Sequence, residues 1–245
     1  MWSAILWGTI AASATLFGAL TVIFLSVPKR LIGFIMALGT GALIGATTYE
    51  LLGDALKLSG FKEVAIGFLG GALLFTLLDM WVSHSGGNQR KWSDQSGENK
   101  SKSGAGLGTF IGTIMDTLPE SAMIGLSLVG GQSVSFALVI AIFISNFPEG
   151  LSSTYGLQKS GFSNRKILIM WIFVVVFSAL SSLAGALFLD GTSNSIKAIM
   201  SAFAGGAIIA MVASTMMPEA YKEGGPSVGF ITATGVFISL FLHHY

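Results

Sequence analysis

The chain has no cysteine, which rules out disulfides, thiolate metal sites and thiol redox chemistry and removes any clue to redox compartment. Charge is scarce as well. Only 10% of the 245 residues are charged, against about 25% in a typical soluble domain, while 52% are hydrophobic, so a water-soluble core is excluded. Basic residues are few and dispersed, never more than two together, and the net charge is +1, so there is no basic patch of the kind nucleic acid requires. Histidine is nearly absent: His84, His243 and His244 fall in a polar stretch or in the last residues. Metal chemistry inside the apolar part would therefore rest on oxygen. There is no nucleophile motif and no His-Glu-x-x-His, which leaves little for a reading as a hydrolytic enzyme.

What the chain does have is long apolar runs, each matching the roughly 20 residues that carry a helix across a bilayer of ~30 Å. They predict an all-α membrane protein with eight transmembrane helices, near 3–26, 31–54, 61–83, 105–128, 134–157, 166–189, 196–219 and 226–244. The first run has no charged segment before it and no small-residue cleavage site, and reads as a retained helix rather than a signal peptide. Residues 84–104 are rich in Ser, Gly, Asn, Lys and Gln without hydrophobic periodicity and read as a flexible cytoplasmic loop. The chain thus divides into helices 1–3 (1–83), this loop, helices 4–5 (105–157) and helices 6–8 (158–245). Lys and Arg fall ten on the side of the first connection and three on the other, which puts the first group in the cytoplasm and both termini outside.

Two internal repeats stand out. Ala37–Lys57 aligns without gaps on Ala202–Lys222 and sets Asp54 opposite Glu219. In the expected topology these copies run in opposite directions, as inverted repeats of secondary transporters do around a midplane site. A shorter repeat pairs Asp116-Thr-Leu-Pro-Glu-Ser121 of the fourth helix with Ser145-Asn-Phe-Pro-Glu-Gly150 of the fifth.

That second repeat carries the chemistry. An ionised side chain in mid-membrane costs roughly 2.5–3.5 kcal/mol on insertion scales and marks a partner or a wet cavity. Asp116 and Glu120 are four residues apart and share a helix face; Glu149 holds the matching place in the next helix, and neither predicted span contains Lys or Arg. Three neighbouring carboxylates would repel or hold protons unless a bound cation supplied the missing charge. Pro119 and Pro148 release the carbonyls of Met115 and Ile144, and Thr117, Ser145 and Asn146 add neutral oxygens at the same depth. The plainer alternative is a proton-sharing cluster that only fixes helix packing. Glu50, Asp54, Asp79 and Glu219 lie nearer helix ends, where they read either as ordinary interfacial charges or as a pathway or gate.

The Thr-Leu-Pro-Glu-Ser and Asn-Phe-Pro-Glu-Gly pairing, behind a hydrophilic stretch after the third helix, resembles the ZIP family of metal transporters. The resemblance implies eight helices in a 3+2+3 arrangement, outward termini in a plasma (inner) membrane, and a metal site at Asp116, Glu120 and Glu149 with Thr117, Ser145 and Asn146 at neighbouring ligand positions. It implies import of a divalent cation by an elevator-like form of alternating access; a degenerate relative that senses or scaffolds is the other reading. Aspartate and serine stand where the family has histidines, and Ser178 stands where many relatives have a glutamate, so a second metal site is weakened. Zn²⁺ is the ion the family implies, whereas the oxygen-only shell leans toward Mn²⁺ or Mg²⁺, with Fe²⁺ and Cd²⁺ also open. The expected partners are the bilayer and the transported ion, with a homodimer left open.

Overall fold

The computed structural model describes residues 2–84, 102–128, 134–189 and 191–244, and within these every regular element is helical. In chain order they are α1 (Trp2–Phe24), α2 (Lys29–Ala46), a π-helical turn (Thr47–Leu52), α3 (Gly53–Leu58), α4 (Phe61–His84), α5 (Lys102–Ser127), α6 (Phe136–Lys159) and α7 (Asn164–Phe188), followed by α8 (Asn194–Met211), a second π-helical turn (Val212–Met216), α9 (Met217–Gly224), a 3₁₀ turn (Gly225–Ser227) and α10 (Val228–His244). Helix starts follow local chemistry. Ser135, Ser163 and Ser193 each cap the following helix by accepting a hydrogen bond from the backbone N–H three residues on. The long helical stretch from Asn194 is interrupted at Gly225, whose φ of 70° suits glycine, next to Pro226. Of the stretch read as a loop, 85–101 lies outside the described residues; α4 and α5 take in its two ends.

Six stretches among the described residues are long and apolar enough to cross a membrane: Trp2–Phe24, Lys29–Leu58, Phe61–Trp81, Phe136–Lys159, Asn164–Phe188 and Asn194–His244. Their outer faces stay apolar. Leu69, Phe173, Phe188, Phe230 and Phe237 are each more than half exposed, an arrangement suited to lipid and costly in water.

The long repeat is visible in the packing. Ser59, after α3, touches Ser195 at the start of α8 (Oγ–Oγ 3.4 Å), while Gly33 near the start of α2 sits against Gly224 at the end of α9. The two copies therefore run antiparallel. α2 packs along α10, and α8 packs along α4. Matching residues make matching contacts across these two interfaces: a methyl on Gly41 would strike the carbonyl of Thr232, and one on Gly206, which is 165 residues later, that of Phe68. In return Gly235 lies on the carbonyl of Leu38 and Gly71 on that of Phe203, and Leu38 and Phe203 are again 165 apart. Such close backbone approach is how small residues hold membrane helices together. The same offset carries the π turn at Thr47 onto the π turn at Val212, a correspondence absent from hydropathy.

The remaining long helices form a second group in which α1 packs on α6 and α7, and α5 on α6 and α7. α6 meets the first group mainly through α2, where Gly39 lies on the backbone of Ser145.

Candidate functional site

α5 and α6 are neighbours whose register is set by a buried hydrogen bond between the hydroxyls of Thr113 and Ser153, 2.9 Å apart. α7 runs parallel to α5 (Ser181 on Leu118, Gly185 on Ala122) and antiparallel to α1 (Ala4 on Ser182, Gly8 near Ser178), while α1 runs parallel to α6 (Ala11 on Asn146, Thr15 on Gly150), so α5 and α6 are antiparallel. Counting away from the Thr113–Ser153 contact, one turn brings Thr117 level with Glu149, and about two turns bring Glu120 level with Asn146. Both Pro-Glu motifs thus occupy the same two turns, and helix runs through Pro119 and Pro148 alike.

Burial at this level is nearly complete. Thr117, Glu120, Ser121, Ser145 and Asn146 are fully enclosed and Glu149 is 8% exposed. The small hydroxyls partly satisfy themselves: Thr117 Oγ1 donates to the carbonyl of Thr113 (2.7 Å) and Ser145 Oγ to that of Ile142 (2.9 Å), which leaves their lone pairs available. Asn146 Nδ2 reaches the carbonyl of Ala11 at 3.5 Å, while its Oδ1 has no hydrogen-bond partner among the described residues. The hydroxyl of Ser121 is likewise buried without one. In the sequence the only signal for Ser121 is a hydroxyl directly after the glutamate. Asp116 belongs to α5 one turn before Glu120, and its side chain lies outside the described part of the structure. Among the side chains that are described, no three His, Asp or Glu gather closely enough to form a metal site on their own.

The outlying candidates separate. Ser178 is fully buried on α7; the contacts of Ser181 with Leu118 and of Gly185 with Ala122 set α7 parallel to α5 and place Ser178 about level with Met115. Glu219 on α9 accepts a short hydrogen bond from Ser152, one turn beyond Glu149 on α6, so this member of the long repeat reaches the Pro-Glu helix. Asp79 is buried on α4. Asp54 and Glu50 instead line an open cavity of about 580 Å³ between the end of α5, the start of α6, the start of α8 and the last turn of α10. Asp54 pairs there with Lys57 (2.9 Å), and Glu50 meets His243 (2.7 Å). By sequence position alone His243 stands among the last residues, away from any site.

The profile of the family described as ZIP Zinc transporter matches residues 82–243, about two thirds of the chain and both Pro-Glu motifs. The chain belongs to the ZIP zinc transporter family. It is an integral membrane protein of a transporter family and not an enzyme. Two Arabidopsis thaliana proteins are similar. "Putative zinc transporter At3g08650" is 24% identical over 96% of this chain and 38% of its own length. "Zinc transporter ZTP29" is 25% identical over 51% of this chain and 50% of its own length. The chain thus spans at most half the length of these relatives.

Proposed function

We propose that the chain moves a divalent metal cation, with Zn²⁺ the leading ion, through a site on α5 and α6 held by Asp116, Glu120 and Glu149 with Thr117, Ser145 and Asn146. Zinc leads because the family and both relatives carry it in their names; Mn²⁺, Fe²⁺, Cd²⁺ and Mg²⁺ are the competitors the oxygen-only shell allows. The observation that carries the reading is the enclosure of Glu120 and Glu149 within about one turn of each other on two antiparallel helices in a chain of this family. Burial penalises the ionised forms, and a doubly charged ion offsets that penalty where protons otherwise would. The unpartnered Oδ1 of Asn146 adds a neutral donor, so the shell could replace water lost by the ion and still release it.

The eight-crossing, 3+2+3 reading belongs to this proposal. A straight helix over Asn194–His244, 51 residues, would measure about 75 Å, more than twice the bilayer core, so the break at Gly225 supports two crossings there. α5 supplies the eighth. The antiparallel, reciprocally packed copies support alternating access, with the ion moving toward the side rich in Lys and Arg, taken as the cytoplasm. Glu219, bonded to Ser152 beyond Glu149, stands on the exit side, and Ser178 and Asp79 are retained as accessory positions. A plasma (inner) membrane location and a homodimer are carried with this reading from the family resemblance alone.

Proteoliposomes loaded with a Zn²⁺ indicator test it. Wild type takes up Zn²⁺, and Glu120→Gln or Glu149→Gln lowers the initial rate about tenfold or more, the equivalent of ~1.4 kcal/mol. Uptake unchanged in both variants would remove the site; no uptake of any of the five cations by wild type would favour a sensor or scaffold.

A further inference from the structure

We propose that Glu50 and His243 form a second, weaker cation site at the wall of the cavity, taking borderline divalent ions such as Zn²⁺ before they reach Glu120 and Glu149. The direction of travel rests on the transport reading above; the binding itself does not.

The two residues are 193 positions apart, and helix packing brings them together. α10 lies along α2 through Gly41 and Gly45, which sets its last turn beside the π turn Thr47–Leu52. π turns inside α-helices recur at functional sites. Here the turn carries both Glu50 and Tyr49. His243 Nδ1 lies 2.7 Å from Glu50 Oε1, and the ring of Tyr49 stacks on the imidazole at 5.8 Å between centroids and 23° between planes. The imidazole is therefore held on two sides without being enclosed: its side chain is 34% exposed and that of Glu50 15%.

Imidazole nitrogen and carboxylate oxygen are the donors that Zn²⁺ accepts together, at about 2.0–2.2 Å each. A tetrahedral ion between them would spread the two atoms to about 3.3 Å, an opening of ~0.6 Å that a partly exposed side chain can make. Asp54, one turn further on, also lines the cavity, but it is engaged by Lys57 at 2.9 Å. Two protein donors then leave the remaining positions to water, which makes the site weak and exchangeable. That suits a landing point and would not suit a storage site. Lys57 and Lys197 face the same cavity, so capture depends on ligand chemistry and not on an acidic field. The cavity lies on the same helix as the central site: its lining includes Leu126, six residues or about 9 Å beyond Glu120 along α5. An imidazole here would add the preference for zinc over magnesium that an all-oxygen centre lacks.

Two measurements on the full-length chain test the site. In proteoliposomes, His243→Gln and Glu50→Gln should each raise the KM for Zn²⁺ about tenfold, the size of effect expected when a metal site loses a supporting group, with maximal rate held and the KM for Mg²⁺ little moved. In a His84→Gln/His244→Gln/Glu120→Gln variant, which keeps one imidazole and disables the central site, added Zn²⁺ should protect His243 from carbethoxylation by diethylpyrocarbonate. An unchanged KM for Zn²⁺, a fall in maximal rate alone, or absence of protection would each overturn the site. A wild type that transports nothing would instead overturn the transport reading and leave the protection result to stand or fall by itself.

Discussion

Asn146 separates a packing role from a ligand role more cleanly than the glutamates do, because it is neutral and its Oδ1 is buried without a hydrogen-bond partner among the described residues. A buried unpaired acceptor costs about 1–3 kcal/mol, so replacing it by an apolar side chain of similar volume is near neutral or stabilising. Asn146→Leu should therefore keep the thermal unfolding midpoint in detergent while lowering Zn²⁺ uptake about tenfold, one ligand's worth of binding at ~1.4 kcal/mol. Unchanged uptake at unchanged stability would confine Asn146 to packing against Ala11. At this scale the candidate site stands out in the sequence because a carboxylate has few reasons to stand in an apolar run, and Pro-Glu stands there twice. Glu50 with His243 was not legible as a pair. Their meeting depends on the contact of α2 with α10, and proximity to the last residue of a sequence carries no information about what a side chain touches.

The elements were legible wherever apolar runs set their length, and the expected boundaries fall within a few residues of the helices for that reason. Hydropathy does not report hydrogen-bond register, so the π turns at Thr47–Leu52 and Val212–Met216 left no trace of that kind. α5 was legible from its apolar run like the others, although Gly, Thr, Asp, Pro and Glu dilute its apolar content. The paired glycines give the repeat an energetic test. A methyl at Gly206 meets the carbonyl of Phe68 and one at Gly41 that of Thr232, both rigid backbone, so Gly206→Ala and Gly41→Ala should each destabilise by about 1–3 kcal/mol. Gly53 is the control of opposite sign. Its nearest neighbour to an added methyl is the carbonyl of Thr48 at 3.7 Å and its backbone is helical, so Gly53→Ala should stabilise by about 0.5–1 kcal/mol. Thermal unfolding of the three variants reads the signs directly; destabilisation by Gly53→Ala would mean the helix at the π turn depends on something other than backbone entropy.

At the scale of the whole molecule the long helices divide into two groups: α2, α4, α8 and α10, built from the antiparallel repeat, and α1, α5, α6 and α7, which include both Pro-Glu motifs. If transport is alternating access, the plane between the groups must shear while contacts inside each group persist. The absence of cysteine makes this testable without removing any native thiol. Ser152 of α6 and Glu219 of α9 touch across that plane, whereas Ser59 and Ser195 touch within the repeat group, at 3.4 Å. A Ser152→Cys/Glu219→Cys variant, bridged by oxidation or a short bis-thiol linker, should lose uptake when bridged and regain its own unbridged rate on reduction. The Ser59→Cys/Ser195→Cys variant treated in the same way should transport at nearly equal rates bridged and reduced, because its bond joins parts that move together. Measuring each variant against its own reduced form removes the cost of losing the Glu219 carboxylate from the comparison. Equal rates for both variants in both states would describe a bundle that conducts without relative motion, and the inverted repeat would then be a matter of architecture alone.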